Sequence, residues 1–132
     1  VIRFVLIPLA FVAAPALAQE AEIDCANAMT QTEINICAGR DYKAADEDLN
    51  LVYQSAMAVA KEWDLGLSED LCCASEALRE AQRAWIPYRD KVCEATGFLV
   101  RGGSMEPMIV ARCLENITRR RIEDIRAVYE LN

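Results

Sequence analysis

The sequence has no histidine, which removes the commonest metal ligand and the commonest general acid–base group from its chemistry. Its six cysteines include no C-x-x-C spacing, so nothing remains of the usual zinc patterns. No nucleophile elbow is present, and the carboxylates are scattered over helix faces rather than gathered in pairs. These absences argue against an enzyme, and no cofactor or metal is expected. Strand-type alternation is also missing, as are internal repeats and low-complexity tracts, so the expected fold class is all-α. Positive charge is in deficit as well: 14 Lys and Arg stand against 21 Asp and Glu. A formal charge of −7 disfavours nucleic acid and anionic membrane surfaces and suits a cationic partner.

The one long hydrophobic run lies at the start, where Arg3 precedes an almost continuously apolar stretch from Phe4 to Ala14. Ala16-Leu17-Ala18 then reads as a small-x-small cleavage site. Residues 1–18 are therefore expected to be a secretory signal peptide cut between Ala18 and Gln19, leaving one domain over 19–132. The run is too short to span a bilayer, which needs ~20 apolar residues, and no membrane association is expected after cleavage. Nor do Glu22-Ile23-Asp24 before Cys25 form the small, apolar run that lipid attachment follows. Cleavage removes Arg3 and no acid, taking the formal charge from −7 to −8. Export places the cysteines in an oxidising compartment, periplasmic or secreted, where they can be crosslinked.

Three helices are expected beyond the leader. Thr30-Gln31-Thr32-Glu33 has capping-box spacing and starts a helix running to Trp63. Its apolar stripe is Ile34, Ala38, Ala45, Leu49, Val52, Ala56, Val59 and Trp63. At 1.5 Å per residue it would be ~50 Å long, with Gly39 its weakest point. A turn at Leu65-Gly66-Leu67 and an N-cap at Ser68 introduce a second helix from about Glu69 to Ala95. Its stripe is Leu71, Ala74, Leu78, Ala81, Trp85, Tyr88 and Val92, and Pro87 is expected to kink it. Glycines at 97, 102 and 103 mark a loop over Thr96 to Gly103. Ser104 is expected to cap a third helix with Pro107 in its first turn and Met108, Ala111, Leu114, Ile117, Ile122, Ile125 and Val128 on its inner face. The architecture is then an antiparallel helical hairpin plus a third packed helix.

Gln82, Trp85 and Arg89 share one helical stripe at i, i+3 and i+7, placing an amide and a guanidinium beside a large apolar anchor. Folding the hairpin about Gly66 sets Asn50 opposite Gln82 and brings Asp46 near Trp85 and Arg89. A polar network of Asp46, Asn50, Tyr53, Gln82, Trp85 and Arg89 is expected there, chiefly structural, since inward polar groups need partners.

The six cysteines allow fifteen pairings. A bond between Cys93 and Cys113 would close the glycine loop, and a fold-back of the N-terminal segment could join Cys25 to Cys37. Cys72 and Cys73 stand adjacent, and a vicinal disulfide, two free thiols and links elsewhere all remain open. A redox role for this pair is the one enzymatic variant that the sequence retains.

Taken together, Cys25, TQTEINICA at 30–38, Tyr42, AADEDLN at 44–50 with Tyr53, QRAWIPYRDKVC at 82–93, GGSMEPM at 102–108, Cys113 and LENITRRR at 114–121 resemble the LprI-like lysozyme inhibitor domain family. The resemblance spans nearly the whole chain after the leader. It implies a small exported bacterial protein, helical and disulfide-bonded, with Cys25 paired to Cys37 and Cys93 to Cys113. Cys72 and Cys73 depart from the family's four-cysteine pattern and stay unassigned. The implied function is inhibition of lysozyme, an enzyme commonly very basic and so a partner for an acidic chain. The alternative is an envelope binding or assembly module whose partner is another exported protein. Candidate contact residues are the acidic outer face of the first helix, Asp41, Glu47 and Asp48, and the loop of Arg101, Gly102, Gly103 and Ser104, which is expected to be flexible. No oligomeric state is implied.

Overall fold

A computed structural model describes residues 23–131. The expected leader, residues 1–18, lies outside them. The elements are a short 3₁₀ turn at Cys25–Asn27, α1 (Gln31–Leu65), α2 (Ala74–Gly97), a 3₁₀ turn at Phe98–Val100 and α3 (Glu106–Tyr129). The described residues contain no strand, and the fold is all-helical. None of their helices is long and apolar enough to cross a membrane.

The capping box at the start of α1 is complete. The Glu33 amide donates to the Thr30 hydroxyl at 3.2 Å, and the Glu33 carboxylate accepts from the Thr30 and Met29 amides at 2.9 and 3.0 Å. From there α1 runs 35 residues as one helix, straight through Gly39. A mid-helix glycine costs about 1 kcal/mol, which the packing on either side outweighs. Leu49, Val52, Ala56 and Ala60 meet Leu78 of α2 and Ile122 and Ile125 of α3 in the main core, while Ala38, Met108 and Ala111 form a smaller cluster nearer the start of α1. The most extensive packing is between α1 and α3; the two arms of the hairpin touch each other least. Small residues on α1, Ala45, Ala56 and Ala60, are fully enclosed and let the helices approach closely.

The second helix starts later than Ser68 predicts. Asp64, in the last turn of α1, accepts from the backbone amides of Cys73, Ala74 and Ser75 at 2.8, 2.6 and 3.0 Å, so a carboxylate from the preceding helix caps α2. A carboxylate satisfies several orphan amides and opposes the positive helix end, which a lone hydroxyl does less well. Ser68 bonds the Asp70 carboxylate instead, at 2.6 Å. Cys73 takes a left-handed backbone, φ 92°, where the chain swings into the helix. Hydrogen bonds from the Ser75 hydroxyl and amide, joined by those from Ala74 and Cys73, pull the Asp64 carboxyl down to about 2.

The inner face of α2 also departs from the expected stripe. Leu78 is buried, Trp85 and Val92 are half-buried, and Arg89, Cys93 and Gly97 complete the inner face. Ala81 and Tyr88 face outward, and Leu71 lies before the helix, exposed. The stripe is turned toward Arg89 and Cys93 because both are bonded inward. The helix continues through Pro87 and on to Gly97, past the expected start of the loop. A β-carbon at Gly97 would lie 2.8 Å from a Val110 methyl, so glycine here permits α2 and α3 to close on each other. Met105, rather than Ser104, precedes α3, and no side chain caps it; Pro107 sits in the first turn as expected. Near the other end of α3, Tyr129 stacks on Trp63 with centroids 5.1 Å apart.

Two stability predictions follow from these contacts. Thr118 is fully buried on α3, with its hydroxyl unpartnered among the described residues. Thr118→Val should raise stability by about 1 kcal/mol, read as a higher urea midpoint at unchanged slope. Because the folded-state pKa of Asp64 is depressed, its contribution is present above its unfolded value of about 4 and is lost as pH falls through about 2. Asp64→Asn should therefore flatten the fall in thermal midpoint between pH 4 and pH 2.

Candidate functional site

The densest polar constellation lies where α1 and α2 cross, around Arg89. Arg89 is 7 % exposed, and its guanidinium donates from Nη1 to Asp46 Oδ1 and from Nε to Asp90 Oδ1, each at 2.9 Å. The same group lies 5.1 Å from the Trp85 ring and 5.4 Å from that of Tyr42. Burial opposes the charge on Arg89, but the hydrogen bonds it donates to Asp90 and Asp46 outweigh it, so its pKa moves up. Burial also raises the Tyr42 hydroxyl, partly offset by the neighbouring Arg89 charge. Arg121 of α3 lies 5.9 Å from Trp85, which thus contacts two guanidinium groups, and its Nε donates to Gln82 Oε1 at 3.2 Å.

Of the six residues expected to form one network, the structure brings together Asp46, Trp85 and Arg89 and ties Gln82 in through Arg121. Asn50 is exposed and makes no side-chain hydrogen bond among the described residues. With Tyr53 and Gln82 it lines a shallow groove of about 390 Å³ between α1 and α2, which Arg79, Arg83 and Ile86 complete. Sequence reasoning missed Arg121, Tyr42 and Asp90 as partners. The signal for Arg121 was absent because the hairpin estimate relates α1 to α2 and says nothing of α3.

The candidate contact residues have varied surroundings. On α1, Asp48 is 3.8 Å from Arg119 of α3, Glu47 is 3.9 Å from Lys43, and Asp41 shares a shallow groove with Arg112 and the Cys25–Cys37 pair. Bases are thus interleaved with this acidic face. The glycine loop is held at several points. Glu106 accepts from Arg101 Nη1 and from the Gly102 amide, both at 2.7 Å, and Arg101 stacks over Phe98 at 4.7 Å. Asn35 on α1 donates to the Ser104 carbonyl at 2.9 Å, and Gly102 takes φ +77°. Expected flexibility gives way to a braced loop because Glu106, in the first turn of α3, reaches back to both neighbours.

Covalently, Cys25 joins Cys37 and Cys93 joins Cys113, with Cα separations of 5.6 and 5.5 Å, and Cys72 joins Cys73. Among the described residues no three or more His, Cys, Asp or Glu side chains gather to hold a metal ion.

The family model described as "Lysozyme inhibitor LprI" matches residues 24–125. A protein of Rhizobium meliloti (strain 1021), named only as uncharacterized, is 48% identical over 120 residues, covering 89% of this chain and 86% of its own length. No solved structure matches.

Arg89→Ala should destabilise the fold by about 2–4 kcal/mol, below the full cost of orphaning a buried charge because Asp46 is part-exposed and can rehydrate. Arg89→Lys should lose a sizeable part of that, since an ammonium cannot reach both carboxylates and stack on Trp85 at once. Urea unfolding of the two variants checks the order.

Proposed function

The chain belongs to the LprI lysozyme inhibitor family, and from that premise we propose that it is an exported protein that binds and blocks a cationic lysozyme. The family match over most of the chain carries this reading. The formal charge of −7 supports it, because an acidic inhibitor is drawn to a basic enzyme and its association is accelerated. Lysozyme cleaves with a pair of carboxylates in a cleft, so a protein that covers the cleft stops turnover without any chemistry of its own. Three disulfides fit a small domain working in an oxidising compartment, the periplasm or the extracellular space. No catalytic step is assigned to the chain.

A second reading, an envelope binding module with no action on lysozyme, draws on the groove lined by Asn50, Tyr53, Gln82 and their neighbours. Amides, guanidinium groups and a tyrosine are the groups that bind polar ligands.

Inhibition of lysozymes from several classes by the oxidised protein, at low and at physiological salt, separates the two. The inhibitor reading expects at least one class to be inhibited, with association about tenfold or more slower at physiological salt. No inhibition of any class would discard it in favour of the binding module.

A further inference from the structure

A run of acids with no base among them lies at the α1–α2 connection, away from the two surfaces that the sequence points to. Between Lys61 and Arg79 the chain carries five acids, Glu62, Asp64, Glu69, Asp70 and Glu76, and no base. Asp64 caps α2 and Glu76 pairs with Arg79, but Glu62 and Glu69 are exposed and make no side-chain bond among the described residues. The same short stretch exposes Leu65 (90 %), Leu71 (66 %), Leu67 and Trp63. Large apolar side chains gathered on a surface mark a contact site more often than single ones do.

This end is also braced. The amides of Gly66, Leu67 and Leu71 close successive turns, and the Cys73 amide returns to Asp64. The Trp63–Tyr129 stack ties this end to α3, and the Cys72–Cys73 bond restrains the peptide between those two residues. A rigid apolar surface loses little conformational freedom on docking.

We propose that the α1–α2 tip is the docking surface, and that its occupant is a cationic protein presenting an apolar patch inside a basic rim. Charge selects this occupant. A second copy would bring like-charged tips together, and an anionic membrane would repel them. The acidic face of α1, by contrast, already has Arg119 and Lys43 beside its carboxylates, and Glu106 answers Arg101 in the glycine loop. The inference rests on the inhibitor reading for the identity of the partner and locates its contact.

Two tip variants test it, Leu65→Ser/Leu71→Ser and Glu62→Lys/Glu69→Lys, with Glu47→Lys/Asp48→Lys on α1 as the control. All six side chains are exposed, so folding should persist, and the helical circular dichroism checks this. The probes are the lysozyme panel and a synthetic amphipathic peptide of lysine and leucine. Each tip variant should bind about tenfold more weakly than the parent, and the control should change little. Unchanged binding by the tip variants, a larger loss in the control, or no binding of any probe by the parent would overturn the proposal. So would a dimer of the parent, seen by sedimentation, that Leu65→Ser/Leu71→Ser abolishes. If the parent inhibits lysozyme and the tip variants inhibit equally well, the tip fails and the inhibitor reading stands. If only the peptide binds, and does so through the tip, the inhibitor reading fails and the tip stands.

Discussion

The constraint on which the structure depends is that α2 has too little apolar surface to hold itself in place. Of its buried residues only Leu78 is a large aliphatic; the others are Arg89, Cys93 and Gly97. The apolar core is chiefly a matter between α1 and α3, where Leu49, Val52, Ile122 and Ile125 meet around small alanines. The second helix is fastened instead by discrete devices along its length. Asp64 caps its start, Trp85 and Arg89 lock its middle to Asp46 and Arg121, and Cys93 bonds Cys113 on α3 next to the close approach at Gly97. A disulfide that closes a loop of this size contributes ~3 kcal/mol in the chain-entropy account, comparable to burying a large side chain. That explains why the residue pattern from Gln82 to Cys93 looks unlike an ordinary amphipathic helix.

Most of the fold was legible because α1 and α3 largely obey the rules that sequence reading uses, although Trp63 and Val128, expected on their inner stripes, are exposed near the helix ends. Their apolar residues recur at three and four, and Thr30 and Glu33 announce the start of α1 by a local motif. What could not be read depends on contacts from outside the element concerned. Ser68 had every local qualification as a cap, yet Asp64 displaced it from a different helix. Tyr88 and Ala81 fit an inward stripe by period alone, but Arg89 and Cys93, each bonded to another element, rotate that stripe away from them. The pairing of Asp46 with Arg89 followed from simple hairpin arithmetic, whereas Arg121 needed the position of a third helix, which no such arithmetic supplies.

The same limit applies to charge. Read along the chain, Asp41, Glu47 and Asp48 form an acidic face, and the basic run at Arg119 to Arg121 looks like a separate feature seventy residues away. Folding puts Arg119 against Asp48 and Arg121 against Trp85, so the two features offset each other. The connection between Lys61 and Arg79 carries five acids and no base of its own, and its acidity survives. Net charge therefore says that a cationic partner is favoured, but the packing of α3 on α1 decides where on the molecule that preference can act.

Rigidity at the tip bears on how its exposed leucines should be understood. A slack connection would expose apolar side chains simply because nothing holds them, and ordering them against a partner would cost about 0.5–1.5 kcal/mol apiece. Here the backbone turns are closed, an ionised Asp64 ties the end of one helix to the start of the next, an aromatic stack ties this end to α3, and a covalent bond restrains the peptide between Cys72 and Cys73. A chain able to order this segment so fully could also have turned Leu65 and Leu71 inward or replaced them with polar residues. Keeping them outward on a fixed base, beside Glu62 and Glu69, which have no side-chain partner among the described residues, exposes apolar surface to water with no return within the chain itself. A surface that covers them would supply the return, and the surrounding acids favour a basic one.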